Sequence, residues 1–157
     1  MSYFSFLSPT IAVAGAMSPD DFAEAARLGF KTIINNRPDG EEAGQLTARE
    51  EVSLARQAGV DYLHVPAAKH EVLDDHVLEP FADALATARL PILLHCRSGL
   101  RSTIMWTAVA VEDGMALDEA LAAAKAAGYD LEVVREEIAD RSKAPPASAG
   151  HQHRVAA

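Results

Sequence analysis

Three short apolar segments constrain this chain more than anything else in it. Lys31-Thr32-Ile33-Ile34-Asn35, Asp61-Tyr62-Leu63-His64-Val65-Pro66 and Pro91-Ile92-Leu93-Leu94-His95 have the length and side chains of buried strands. Amphipathic helical stretches alternate with them. Ser18-Pro19-Asp20-Asp21 opens the first with a capping serine, a proline suited to the first helical position and two acids at the positive end of the helix dipole. That helix runs through Phe22, Ala25, Ala26 and Leu28 and stops at Gly29. Thr47-Ala48-Arg49-Glu50 has capping-box spacing, and a helix through Val52, Leu54 and Ala55 ends at Gly59. A third, over about residues 74–89, sets Val77, Leu78, Phe81, Ala82 and Leu85 at helical spacing. Alternating strands and helices predict an α/β fold with a mainly parallel central sheet flanked by helices.

A β-leaning start falls at residues 11–13, and no strand is predicted after Cys96. Helices are expected over residues 102–112, 117–127 (closed by Gly128) and 131–141. Residues 1–143 then form one domain. Residues 144–150, Ala-Pro-Pro-Ala-Ser-Ala-Gly, have a linker composition, which makes 144–157 a flexible tail.

Charge and cysteine content narrow the function classes. Fourteen basic against 23 acidic residues leave a net charge of −9, the opposite of a nucleic-acid footprint. A single cysteine forms no intramolecular disulfide and no multi-cysteine zinc site. The N-terminal stretch lacks a basic start and an unbroken apolar block, so neither a signal peptide nor a membrane span is expected, and the cytoplasm is the expected compartment. No cofactor is expected either.

That cysteine stands where the most apolar strand ends and a helix begins: Leu94-His95-Cys96-Arg97-Ser98-Gly99-Leu100-Arg101-Ser102. In open α/β sheets this is where ligands bind. Ser98 and Gly99 are small enough to let backbone N–H groups turn inward, and such a nest at a helix N-terminus binds anions and stabilises a thiolate. Arg97 and Arg101 add positive charge, and Arg101 can close on an anion with a two-pronged guanidinium. A buried structural cysteine is the competing reading, but two arginines and a glycine turn do not ordinarily follow one. His95 either tunes the thiol or is a hydrogen-bonded core histidine.

The loop resembles the signature of cysteine-dependent protein phosphatases, except that four residues rather than five separate Cys96 from Arg101, with Ser102 standing at the usual arginine position. Its six residues, Cys96 to Arg101, also resemble the active loop of rhodanese-type sulfurtransferases. Rhodanese domains carry a further strand after that loop, whereas dual-specificity phosphatases end in helices. Together with Ile34-Asn35-Asn36-Arg37-Pro38-Asp39-Gly40-Glu41-Glu42, these features resemble the phosphatase-like domain of beta-lactamase-hydrolase-like proteins, over about residues 6–131. The resemblance implies a three-layer sandwich like that of dual-specificity phosphatases. It also implies sulfur transfer, because some members occur with persulfide dioxygenases, which makes such an enzyme an expected partner.

The expected function is therefore a rhodanese-like sulfurtransferase. Cys96 takes sulfane sulfur from a small-molecule donor, and a thiol or cyanide acceptor removes it, while Arg97, Ser98, Gly99, Leu100, Arg101 and Ser102 cradle the anion. The alternative is a cysteine-dependent phosphatase acting through a phosphocysteine. A phosphatase of this kind draws its general acid from the loop after the preceding strand, and Pro66-Ala67-Ala68-Lys69-His70 holds no carboxylate. Asp74 or Asp75 would have to serve, although both read as the opening of the next helix.

The remaining candidates are less specific. Arg37 either binds an anionic substrate or pairs with a neighbouring acid, and Asp39-Gly40 reads mainly as a turn on the same rim. Lys69 and His70 follow the next strand, where solvated surface residues are the ordinary case. Trp106 reads as core packing. His151 and His153 lie in the tail, too unconstrained for a metal site, and no metal is expected.

Overall fold

The structure, a computed structural model, describes residues 4–143. The predicted tail, including His151 and His153, lies outside them. The elements run β1 (Ser5–Ser8), β2 (Ile11–Ala14), α1 (Pro19–Arg27), β3 (Thr32–Asn35), α2 (Ala48–Ala58), β4 (Asp61–His64), α3 (Asp75–Thr87), β5 (Ile92–His95), α4 (Leu100–Glu112), α5 (Leu117–Ala126), a 3-10 turn (Glu132–Val134) and α6 (Arg135–Lys143). Capping fixes the first two helices as expected. At α1, Ser18 N–H donates to Asp21 Oδ2 at 2.7 Å. At α2, Thr47 N–H donates to Glu50 Oε1 at 2.9 Å while Glu50 N–H returns to the Thr47 hydroxyl at 3.1 Å. Gly59, at φ +78°, closes α2 in the left-handed conformation.

The strands form one mixed sheet in the order β1-β2-β5-β3-β4. Pairings β2–β5, β5–β3 and β3–β4 are parallel, and only the edge strand β1 is antiparallel. Strand β1 was not foreseen: Phe6 is largely exposed, so the segment shows no clean alternation. Helix α4 starts two residues before its expected position because Gly99 serves as its N-cap. The predicted final helix opens as a 3-10 turn.

Alternation along the strands sorts side chains into two cores. Ile11, Val13, Ile34, Ile92 and Leu94 point to one face, covered by α3 to α6. Ala12, Ala14, Ile33 and Leu93 point to the other, under α1 and α2. The result is the three-layer sandwich. Trp106 and Phe81 are fully buried in the larger core, and each large apolar side chain withdrawn from water in this way stabilises the fold by about 1.5–3 kcal/mol. Helix α4 is buried from Arg101 to Ala110 because α3, α5 and α6 enclose it, so it is apolar on nearly every side.

Register places the site. Ala14, His95, Asn35 and His64 are lateral neighbours at the carboxyl ends of the four parallel strands. The segments beginning at Gly15, Asn36, Val65 and Cys96 therefore leave along a single rim.

Candidate active site

Cys96 leaves β5 directly into the turn that starts α4. Gly99 adopts φ +91°, and its N–H donates to Cys96 Sγ at 3.1 Å. The turn is braced from three sides. Ala16 N–H donates to the Arg97 carbonyl at 2.8 Å, Thr103 donates its N–H and hydroxyl to the Gly99 carbonyl, and the Tyr129 hydroxyl donates to the Ser98 carbonyl at 2.8 Å. Tyr129 covers Gly99 so closely that a Cβ there would collide with its hydroxyl. Burial, and then the nearby Cys96, raise the pKa of Tyr129 above that of a free phenol. Cys96 itself is fully buried.

Arg101, 6% exposed, sits beside the cysteine turn. Its Nη1 donates to Ala67 O and to Glu41 Oε2, and its Nη2 to Glu41 Oε1, each at 2.8 Å. Glu41 also accepts from Arg37 Nε at 3.0 Å, and Glu42 from Arg37 Nη2 at 2.8 Å. The open choice for Arg37 thus resolves as an ion pair with neighbouring acids. Arg97, half exposed, reaches Glu42 at 3.4 Å. The Arg101 hydrogen bonds, opposed by partial burial and helped by Arg37, hold the Glu41 carboxyl down at about 2. Glu41 hydrogen bonds in turn hold Arg101 above its ordinary value, against burial, with Cys96 adding a smaller contribution.

The other expected site residues fall into distinct places. Ser98 and Gly99 shape the turn, and Leu100 is exposed at the rim. The Ser102 hydroxyl donates to Asn36 Oδ1 at 2.8 Å, and Asn36 Nδ2 continues to Val65 O at 2.9 Å. Asn36 thereby clips the start of α4 to the end of β4. Asp39 Oδ1 accepts the Ala48 N–H at the start of α2, a structural role. Lys69 and His70 are exposed. Asp75 pairs with Arg141, and Asp74 is the N-cap of α3, its carbonyl accepting from Val77 and Leu78.

His95 resolves as a hydrogen-bonded core histidine. Its Nδ1 lies 3.2 Å from Cys96 O and its Nε2 2.7 Å from Glu51 Oε1. Glu51 also accepts from the Tyr62 hydroxyl at 3.0 Å, which accepts from Asn35 Nδ2 at 2.9 Å. Burial, and then Glu51, push the Tyr62 phenol well above its usual range. Sequence reasoning missed Glu51, although Glu51, Leu54, Ala55 and Ala58 follow the i, i+3, i+4, i+7 spacing of a buried stripe. Val52, expected on that stripe, is 38% exposed instead. Glu41 and Tyr129 were missed as well, because their partners lie 60 and 31 residues away. Among the described residues no helix is long and apolar enough to cross a membrane, and no cluster of His, Cys, Asp and Glu suits a metal ion.

Comparison with known proteins gives this geometry its context. A family model for the phosphatase-like domain of beta-lactamase hydrolase-like proteins matches residues 3–113. A beta-lactamase hydrolase-like protein of Xylella fastidiosa is 36% identical over 126 residues, 80% of this chain but 29% of the relative. The chain thus spans under a third of the curated relatives' length. A solved candidate phosphatase from Neisseria meningitidis superposes with a TM-score of 0.79 at 33% identity, covering 87% of this chain and 96% of that one. The catalytic domain of a PP-IP phosphatase from S. cerevisiae shares the fold, with a TM-score of 0.65 at 18% identity and coverage of 87% and 83%.

These relatives overturn the expected sulfurtransferase. Both the family and its solved relative stand with phosphatases, and among the described residues the chain after β5 is helical, as dual-specificity phosphatases are expected to end. By the match over most of its length, the chain belongs to the family of phosphatase-like domains found in beta-lactamase hydrolase-like proteins.

Proposed function

We propose that this domain hydrolyses phosphate monoesters through a phosphocysteine at Cys96. The observation that carries this reading is the Cys96 turn: a backbone N–H donating to the sulfur at 3.1 Å, beside a buried arginine. The Cys96 thiolate attacks phosphorus in line, the ester P–O bond breaks, and its electron pair leaves with the oxygen. Arg101 neutralises charge on the transferring group, a role worth about 10²–10³-fold for a single well-placed donor. Water then attacks the phosphocysteine, the S–P bond breaks, and orthophosphate and thiolate are regenerated. Cys96 is covered in the resting structure, so substrate reaches the sulfur when the rim opens.

The leaving oxygen needs a proton only if it is a poor leaving group. Glu41 is held ionised by two arginines, Asp75 is paired with Arg141, Asp74 is fixed as the N-cap of α3, and the segment from Pro66 to His70 has no carboxylate. This arrangement favours aryl phosphates, whose oxygen departs as a stable phenolate. Alkyl phosphates should be slower by about 10²-fold or more, the usual contribution of a general acid.

The test is hydrolysis of p-nitrophenyl phosphate and of an alkyl phosphate by wild type and Cys96→Ser. Cys96-dependent release from the aryl ester, inhibited by orthovanadate, supports the reading. Release that survives Cys96→Ser, or none at all, refutes it.

A further inference from the structure

An arginine has five N–H donors, and counting those of Arg101 shows what is left for a substrate. Nη1 spends its two on Glu41 Oε2 and Ala67 O, and Nη2 spends one on Glu41 Oε1. The two contacts with Glu41 form a fork across the outer end of the guanidinium. The Nε–H and the second Nη2–H take neither of these partners; they lie along one planar edge, Cys96 is the remaining hydrogen-bond partner of the side chain, and that edge matches two oxygens of a phosphoryl group.

Glu41 is placed to aim that edge because it is itself fixed. Its N–H donates to Gln45 Oε1 at 3.1 Å, and Gln45 Nε2 donates to Pro38 O at 2.8 Å, which holds the turn at Gly40. Arg37, which grips its carboxylate, is 5% exposed and anchored at its backbone: its N–H donates to Asn35 Oδ1 and its carbonyl meets His64 Nε2. A continuous set of hydrogen bonds therefore runs from the end of β3 through Arg37 and Glu41 to Arg101. Without Glu41 the guanidinium keeps only Ala67 O and its contact with Cys96, which leave its plane free to turn.

We propose that Glu41 is a positioning residue: by occupying the outer fork of Arg101 it fixes the inner Nε–Nη2 edge on the Cys96 turn, where the phosphoryl oxygens bind. The proposal rests on the phosphatase reading for the identity of the anion, and on geometry alone for the aim of the guanidinium.

The experiment separates the two. Alkylation rates of Cys96 are measured with anionic iodoacetate and neutral iodoacetamide on the full chain, for wild type, Glu41→Gln, Glu41→Ala, Glu41→Asp and Arg101→Ala. Their ratio reports whether Arg101 presents charge to an anion beside the sulfur, and it needs no phosphatase turnover. A pair of charge-assisted hydrogen bonds is worth about tenfold or more, so the ratio should fall by about that factor in Glu41→Gln and Glu41→Ala. It should approach the Arg101→Ala value and recover partly in Glu41→Asp, with the iodoacetamide rate little changed. The kcat/KM for p-nitrophenyl phosphate should fall in parallel. A ratio that does not change in the folded Glu41→Gln variant overturns the proposal. A ratio that rises overturns it too, because Glu41 would then compete with anions for Arg101. A fall in the ratio without any wild-type phosphatase activity would keep the positioning role and remove the phosphatase reading.

Discussion

Two carboxylates support the neighbourhood of the cysteine turn, one bound to Arg101 and one to His95, and their surroundings differ in kind. Glu41 reaches the rim from the segment after β3 and meets two permanently charged guanidinium groups. Glu51 reaches the floor from α2, only 3% exposed, and meets an imidazole and a phenol. Fixed cations keep Glu41 ionised near solvent, where its charge serves to aim Arg101. Glu51 serves two polar side chains at once, His95 and Tyr62, so its contribution is to cohesion beside the loop. Proximity to a nucleophile thus does not by itself assign a role. The partners do.

Stability should distinguish the pair most strongly. Glu51→Ala strips His95 and Tyr62 of their common acceptor, and breaking a buried pair costs about 3–5 kcal/mol. Denaturant unfolding should show that loss, whereas Glu41→Ala should cost about 1 kcal/mol or less because its side chain is partly solvated. Comparable losses at the two positions would collapse the distinction. Activity should rank them the other way. Arg101→Ala should lower kcat/KM for an aryl phosphate by about 10²–10³-fold with little change in unfolding midpoint beyond its lost contacts.

Tyr62→Phe sharpens the comparison on the Glu51 side. It removes two hydrogen bonds, the one donated to Glu51 and the one accepted from Asn35 Nδ2, a loss of about 1–2 kcal/mol in unfolding free energy with kcat retained. The smallest effect is acid dependence. Because the Glu41 pKa falls from an ordinary 4.5 to about 2 in the folded protein, its contribution is fully present above pH 4.5 and disappears as pH falls through about 2. The stability difference between wild type and Glu41→Gln should therefore shrink over that window by about 1 kcal/mol at most. A difference that grows as pH falls would contradict the sign.

Much of the scaffold could be read directly from the chain because its signals are local. Ser18, Thr47 and Gly59 announce their helix ends within four residues, and three apolar runs announce three of the four parallel strands. Cys96 stood out because the strand end, the glycine and the arginines lie within six positions. The supports of the site had no such signal. Arg101 meets Glu41 across 60 residues, His95 meets Glu51 across 44, and Tyr129 meets Ser98 across 31. Only the folded register brings these pairs together. The chemistry was misjudged for a related reason: loop length is a local feature, whereas the scaffold that sets the family is a property of the whole sheet and its helical ending.

The central claim is a phosphorylated Cys96, and intact-mass analysis of enzyme acid-quenched early in the reaction with p-nitrophenyl phosphate tests it most directly. The account predicts that wild type gains the mass of one phosphoryl group, mapped to the peptide carrying Cys96, and that Cys96→Ser gains none and releases no p-nitrophenol. Turnover without any phosphoryl adduct on Cys96, or an adduct at another residue, would contradict it.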